Sequence, residues 1–204
     1  MVDASVAVLV SGHGTNLQAL LDDPVIRPWI ALVLSDRDSA VALARAEAHG
    51  VPTAIVQRAG FPDRPAFDRA VLDVLEGAGI EYVVLAGYLL LLGPEIVHAF
   101  PGRIVNVHPA LLPAFPGTTS VADALAWGVK VTGVTVHLVD EELDHGPVVF
   151  QEAVTVSDDD DWDALEERIH EVEHRLLRSA VRALVEGRLA LEGRRVRVLE
   201  PSDD

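Results

Sequence analysis

Val6-Ala7-Val8-Leu9-Val10 leads directly into Ser11-Gly12-His13-Gly14-Thr15-Asn16, and that into Leu17-Gln18-Ala19-Leu20. A short, wholly apolar, β-rich run is what a parallel strand buried on both faces requires. The bend after it carries two glycines, and the residues beyond take up helical spacing over 16–21. The same order recurs downstream. Apolar runs at 30–34, 53–56, 82–85 and 104–107 alternate with helical patterns at 40–48, 65–77, 94–100 and 121–127. This alternation predicts an α/β fold, a parallel sheet covered by helices on both faces.

Three later runs, 131–139, 148–154 and a weak 196–199, are also expected as strands. Within 132–139, Val134, Val136 and Leu138 alternate with Thr135, His137 and Val139, which predicts an antiparallel strand at one edge. The longest helix is expected from Ser157 as N-cap to about Gly187 as the residue after the C-cap. Asp158, Asp159, Asp160 and Asp161 would fill its first turn, where acids suit the positive end of the macrodipole. This run reads as a solvated helix start rather than a metal site. Leu165, Ile169, Val172, Leu176, Ala180 and Leu184 form the expected buried stripe. No internal repeat and no Pro/Gly/Ser-rich linker interrupts the chain, so 1–204 reads as one domain, with about 200–204 as a disordered tail.

The 204 residues are 50% apolar, 24% charged and 5% aromatic, which excludes a disordered, collagenous or coiled-coil chain. A net charge of −16 repels phosphate backbones and anionic membranes, so no nucleic-acid or membrane partner is expected. The absence of cysteine removes disulfides, thiolate zinc sites and cysteine nucleophiles together. Residues 1–5 lack a basic segment and the next apolar run ends at Val10, so no signal peptide is read. No stretch has the length of a membrane span, and a cytoplasmic globular protein is expected.

Four places can carry chemistry. The bend at Gly14, Thr15 and Asn16 lets backbone N–H groups approach an anion at a helix start. It lacks the third glycine of a dinucleotide fingerprint and the lysine of a Walker loop, and its plain alternative is a strand-to-helix turn. Asn106 and His108 are two apart on an extended segment, so both side chains leave on one face, at the strand end where open α/β sheets place ligands. An amide donor beside an imidazole suits carbonyl addition, the amide stabilising an oxyanion and the imidazole managing a proton. A strand-end polar pair bonding the loop backbone is the alternative. Asp140, Glu141, Glu142 and Asp144 lie between two strands, mostly as solvated loop carboxylates. One of them beside His108 would raise the imidazole pKa. Glu173 falls on the apolar side of the long helix near His170, either facing a polar cleft or reaching out to solvent.

At Ser11 to Leu20, Leu85-Ala86-Gly87-Tyr88, Asn106-Val107-His108-Pro109-Ala110-Leu111-Leu112-Pro113, Thr132 to His137 and Asp144-His145-Gly146-Pro147, the chain resembles the phosphoribosylglycinamide formyltransferases, folate-dependent enzymes of purine biosynthesis. The resemblance spans about residues 5–190. It implies a three-layer α/β/α formyltransferase fold, with a mostly parallel seven-stranded sheet and one antiparallel strand. Asn106, His108 and Asp144 match the family's catalytic residues. Gly14, Thr15 and Asn16 match those that hold the substrate phosphate, and His170, Glu171, Val172 and Glu173 those that contact its ribose and glycinamide part. Arg64, Leu89, Leu90, Leu91, Leu92, Asn106, Asp140, Glu141, Glu142, Leu143 and Asp144 match contacts to 10-formyltetrahydrofolate, the implied co-substrate.

Two departures stand out. Leu89-Leu90 replaces the usual Met-Arg, removing a basic side chain near the folate's anionic tail. Thr118-Thr119-Ser120-Val121 follows Phe115-Pro116-Gly117 where the family commonly carries a histidine. The resemblance implies no metal, and His13, His98 and His145 are scattered, with neither i,i+4 spacing nor a cysteine partner. The implied partners are small-molecule substrates, with the chain a monomer or homodimer. Related alternatives are a tRNA formyltransferase, which is longer and needs a basic surface, a formyl-folate hydrolase, which carries a regulatory domain, and a sugar-nucleotide formyltransferase, also longer. A non-catalytic phosphometabolite-binding module is the alternative of a different class.

Overall fold

The computed structural model describes residues 4–200, which divide into two compact units, 4–105 and 106–200. In the first, β1 (Val6–Val10), α1 (Thr15–Leu21), β2 (Ile30–Ser35), α2 (Val41–Ala48), β3 (Thr53–Ile55), α3 (Arg64–Gly77), β4 (Tyr82–Leu85) and α4 (Pro94–Ala99) follow in order. β1 pairs in parallel with both β2 and β4, and β2 in parallel with β3. Every β1 side chain is buried, so the wholly apolar run follows from its central place with a strand on either side. Helix α3 is capped by Asp63, whose carboxylate accepts from the Ala66 amide at 2.9 Å. Its buried Phe67, Val71, Leu72 and Leu75 recur at helical spacing.

β5 (Ile104–His108) is followed by α5 (Ser120–Trp127), β6 (Val131–Leu138), β7 (Val148–Thr155) and α6 (Trp162–Val185). The chain ends its regular structure in a separate hairpin of β8 (Leu189–Glu192) and β9 (Arg195–Val198). The main sheet has seven strands in the order β3-β2-β1-β4-β5-β6-β7, mostly parallel, with β7 antiparallel to β6. The fold class expected from the alternation and the resemblance is the one found. Among the described residues, no helix is long and apolar enough to cross a membrane.

Several local expectations are corrected. The antiparallel edge strand is β7, not the alternating β6, which is buried on both faces except at its first residue. The polar phase of β6 is satisfied inside. The Thr135 hydroxyl donates to the Ala110 carbonyl at 2.7 Å and accepts from the Leu112 amide at 3.1 Å. Ser157 does not cap α6. Asp161 does, accepting from the Ala164 amide at 2.9 Å, and the acids before it form a turn in which Asp160 accepts from the Ser157 amide at 2.7 Å. Asp158 pairs with Lys130 and Asp160 with Arg168, so each has a specific cationic partner.

On α6 the buried stripe passes through Glu173 and leaves Val172 half-buried. β8 was not expected, because 189–192 is short and half-exposed, without the apolar density that marks the other strands. It is fixed by pairing with β9. Residues 201–204 of the expected tail lie outside the described residues.

Candidate active site

Asn106 and His108 leave the same face of β5 and meet one carboxylate. Asp144 Oδ1 accepts from Asn106 Nδ2 at 3.4 Å, and Asp144 Oδ2 lies 3.5 Å from His108 Nδ1. Of the four loop acids, the fold selects Asp144. The side chains of His108 and Asp144 are 5% and 7% exposed, so the pair is shielded from water on both sides. His108 Nε2 donates to the Phe115 carbonyl at 2.8 Å, and the Gly117 amide donates to Asp144 Oδ2 at 2.7 Å. One loop therefore holds both partners of the pair, and it is tied in turn to β6 through Thr135.

Among the described residues, Phe115 (φ 51°) and Asp144 (φ 49°) are the non-glycine positions with positive φ. Both touch His108. Left-handed backbone costs an L-residue about 1–2 kcal/mol and persists where its surroundings over-determine it, a pattern that gathers at functional sites.

His137 on β6 belongs to the same cluster and was absent from the residues singled out in the sequence. Its Nε2 lies 3.1 Å from Asn106 Nδ2 and 3.8 Å from Asp144 Oδ1, and its Nδ1 lies 2.9 Å from the Leu138 carbonyl. With the proton on Nδ1, His137 donates to Leu138 and accepts from Asn106, which orients the amide. The available signal was its place in the polar phase of the β6 alternation, read there as an exposed edge.

The cluster's electrostatics correct one expectation. Burial pushes the His108 pKa down, the Asp144 charge and the Phe115 carbonyl pull it back up, and the net value lies below the ordinary 6.5 rather than above it. Desolvation of a cation outweighs one carboxylate at 3.5 Å. For Asp144, burial acts upward, but the neighbouring His137, the hydrogen bond from the Gly117 amide and the His108 charge bring its pKa below the usual 3.8. Asp144 is thus an anion at neutral pH.

In the first unit, Gly14 takes φ +73° as N-cap of α1. A Cβ there would stand 2.5 Å from Ala42 Cβ and 2.9 Å from Ala42 Cα, so the bend requires glycine on two counts. No side chain caps α1, Thr15 is half-buried and Asn16 is buried. Arg45 on α2, unmarked in the sequence reading, donates to the His13 carbonyl at 2.8 Å and to Gln18 at 3.1 Å, placing a cation beside the bend. The Ser11 hydroxyl accepts from the Leu89 amide at 2.9 Å, which ties the same bend to the 89–92 segment. There Leu89 and Leu91 are exposed while Leu92 is buried. Arg64 is held by both carboxylate oxygens of Asp68, at 2.7 and 2.8 Å.

In the second unit, Glu141, Glu142 and Leu143 are exposed, whereas Asp140 is half-buried and accepts from the Glu142 amide at 3.1 Å. On α6, Glu173 is 4% exposed and sits 3.8 Å from His170 Nε2, which removes the solvent-reaching alternative. Glu171 faces solvent and Val172 is half-buried, so the four residues 170–173 point in different directions, as helical geometry dictates. Among the described residues no group of three or more His, Asp or Glu is placed to hold a metal ion.

Residues 4–181 match the model of the formyl transferase family. The chain is 47% identical over 203 residues to the phosphoribosylglycinamide formyltransferase of Mycobacterium tuberculosis, covering 96% of this chain and 94% of that protein. It is 37% identical over 182 residues to the Bacillus subtilis protein of the same name, covering 88% of this chain and 93% of that one. The crystal structure of glycinamide ribonucleotide transformylase 1 from Symbiobacterium toebii matches it with a TM-score of 0.93 at 45% identity, over 97% of this chain and 95% of that chain. On this likeness of sequence and fold along nearly its whole length, the chain belongs to the formyl transferase family, among the phosphoribosylglycinamide formyltransferases.

Proposed function

We propose that this protein transfers the formyl group of 10-formyltetrahydrofolate to the amino group of N1-(5-phospho-D-ribosyl)glycinamide, giving the formylglycinamide ribonucleotide and tetrahydrofolate in purine biosynthesis. The observation that carries the reading is the convergence of Asn106, His108 and Asp144 in one buried polar cluster. The relatives that share most of its length bear the name of that activity. The family match at 4–181 runs through both compact units, which supports treating 1–204 as one functional domain.

In this reading the neutral amine attacks the formyl carbon, forming a C–N bond and moving an electron pair onto the formyl oxygen. Asn106 Nδ2 keeps its hydrogen bond to His137 and turns the hydrogen of its long 3.4 Å contact with Asp144 to that oxyanion, and the His108 imidazolium stabilises it by charge. Burial disfavours the imidazolium in the free protein, so it gains most where an anion develops beside it, a difference that lowers the barrier rather than the ground state. Asp144 holds His108 at Nδ1 and assists removal of the proton from the attacking nitrogen. Collapse of the intermediate breaks the bond to the folate nitrogen, which leaves protonated.

For binding, Gly14, Thr15 and Asn16 take the phosphate, with Arg45 adding positive charge beside the bend. His170, Glu171, Val172 and Glu173 form the segment assigned to the ribose and glycinamide part, with buried Glu173 its central contact. Arg64, Leu89, Leu90, Leu91 and Leu92, together with Asn106 and the loop Asp140, Glu141, Glu142, Leu143 and Asp144, are assigned to the formyl-folate.

The direct test is tetrahydrofolate formation from 10-formyltetrahydrofolate with and without the ribonucleotide. Formation only in its presence supports the transferase. Equal formation without it means a hydrolase, and none in either case means a binding module.

Gly14→Ala tests the phosphate assignment. Its Cβ would push against the start of α2, so KM for the ribonucleotide should rise by about tenfold or more while KM for the formyl-folate stays within about twofold. Equal losses for both substrates, with a lowered melting temperature, would assign Gly14 to folding alone.

A further inference from the structure

The β8–β9 hairpin lies outside everything assigned above, yet it reaches the loop that carries Asp144. Its turn is Gly193-Arg194, with Gly193 at φ +59°. The open end of the hairpin is closed by the Leu199 amide donating to the Arg188 carbonyl at 2.8 Å and by Arg188 Nη1 donating to the Leu199 carbonyl at 2.9 Å. β9 also packs beside β7. From this turn the Arg194 guanidinium donates through Nη2 to the His145 carbonyl. Its Nη1 lies 3.2 Å from His145 Nε2, and His145 Nδ1 lies 2.8 Å from Asp140 Oδ2. With Nδ1–H donating to Asp140, Nε2 is left to accept from Arg194 Nη1, which lies 3.2 Å from it and 3.4 Å from Nδ1.

We propose that Arg194 is a positioning residue for Asp144, a clamp from the C-terminal hairpin that holds the 139–147 loop with its carboxylate against His108. The loop is closed at its base by the Leu138 amide donating to the Pro147 carbonyl at 2.9 Å. Between those ends, Asp144 stands at φ 49°, a conformation that relaxes unless neighbouring peptides are held. The carbonyl that Arg194 grips belongs to the next residue, so rotation about the Asp144 backbone must break that hydrogen bond. A planar, always-charged guanidinium reaches both the carbonyl and the ring nitrogen at once, which an ammonium cannot do. It also places positive charge on a loop that carries Asp140, Glu141, Glu142 and Asp144, in a chain of net charge −16.

This inference rests on the transferase reading for its kinetic test, and on none for its structural one. Arg194→Met removes the donors and keeps the apolar stem, whereas Arg194→Lys restores one donor. In Arg194→Met, backbone amides of 139–147 should exchange with solvent at least about tenfold faster in the absence of any substrate. Its kcat should fall about tenfold with KM for the ribonucleotide within about twofold, and Arg194→Lys should recover part of the loss. In an Asp144→Asn background the same substitution should change kcat by less than about twofold, since a residue acting through Asp144 has nothing further to lose. Unchanged exchange in Arg194→Met overturns the clamp, whether or not the protein turns over its substrates. Faster exchange with a kcat loss that adds fully to that of Asp144→Asn overturns the route through Asp144. An inactive wild-type protein refutes the transferase reading instead, and the exchange measurement then decides the clamp alone.

Discussion

His108→Ala is expected to lower kcat by about 10²–10³-fold, and Asn106→Ala by a similar factor, the usual loss when one stabiliser of a developing oxyanion is removed. His108 is buried, with Phe115 bound to its ring, and Asn106 is half-buried beside it, so bulk water does not take over their roles. Asn106 is the sharper probe. Its amide accepts no charge and shifts no proton, and its removal leaves Asp144 with the Gly117 hydrogen bond intact. His108→Ala additionally strands the Phe115 carbonyl and one side of Asp144, which costs about 1–3 kcal/mol of stability for a buried group left unpaired. Thermal melts should accompany the kinetics: the His108 variant melts lower than wild type and remains folded at assay temperature. Near-wild-type kcat in a folded His108→Ala protein would remove His108 from the chemistry.

Asp144→Asn should produce the second large loss together with a directional change in the pH profile. Transfer needs a neutral amine, whose pKa as an α-amino group is about 8, and an imidazolium. Because the His108 pKa lies lower, the ascending limb of kcat follows His108 and the descending limb follows the amine. In the free protein His108 already loses its proton below its ordinary 6.5, because burial outweighs the pull of Asp144 and the Phe115 carbonyl. Removing the Asp144 charge takes away the larger of the two upward influences. The ascending limb therefore moves further toward low pH, and kcat falls across the plateau above it. The limbs are macroscopic and belong to the coupled pair. An unmoved limb or full activity would remove Asp144 from the chemistry.

The same shifts act on stability. A cation whose pKa is lowered on folding favours the native state above the unfolded value near 6.5 and loses that contribution as pH falls through the folded one. Asp144, lowered from 3.8, stabilises the fold above that value and is lost on stronger acidification. Both signs point to acid sensitivity centred on this cluster.

What the chain determined by itself was local and periodic. The run at β1 and its repeats announced parallel strands because a strand covered on both faces has no place for a polar residue. Asn106 and His108 announced a shared face because the extended chain repeats every two residues. Gly14 marked a bend, and the steric contact with Ala42 shows why no larger residue serves there. Residues far apart in sequence met by tertiary structure alone. The choice of Asp144 among four nearby acids depends on where the β6–β7 connection closes and on a left-handed backbone at that residue. The place of His137 depends on β6 lying inside the sheet rather than at its edge. Glu173 proved buried, Ser157 yielded the cap to Asp161, and the direction of the His108 shift reversed. Periodicity reports which side of an element is apolar. Desolvation and pairing depend on what the fold stacks against that side, and no short stretch of sequence carries that information.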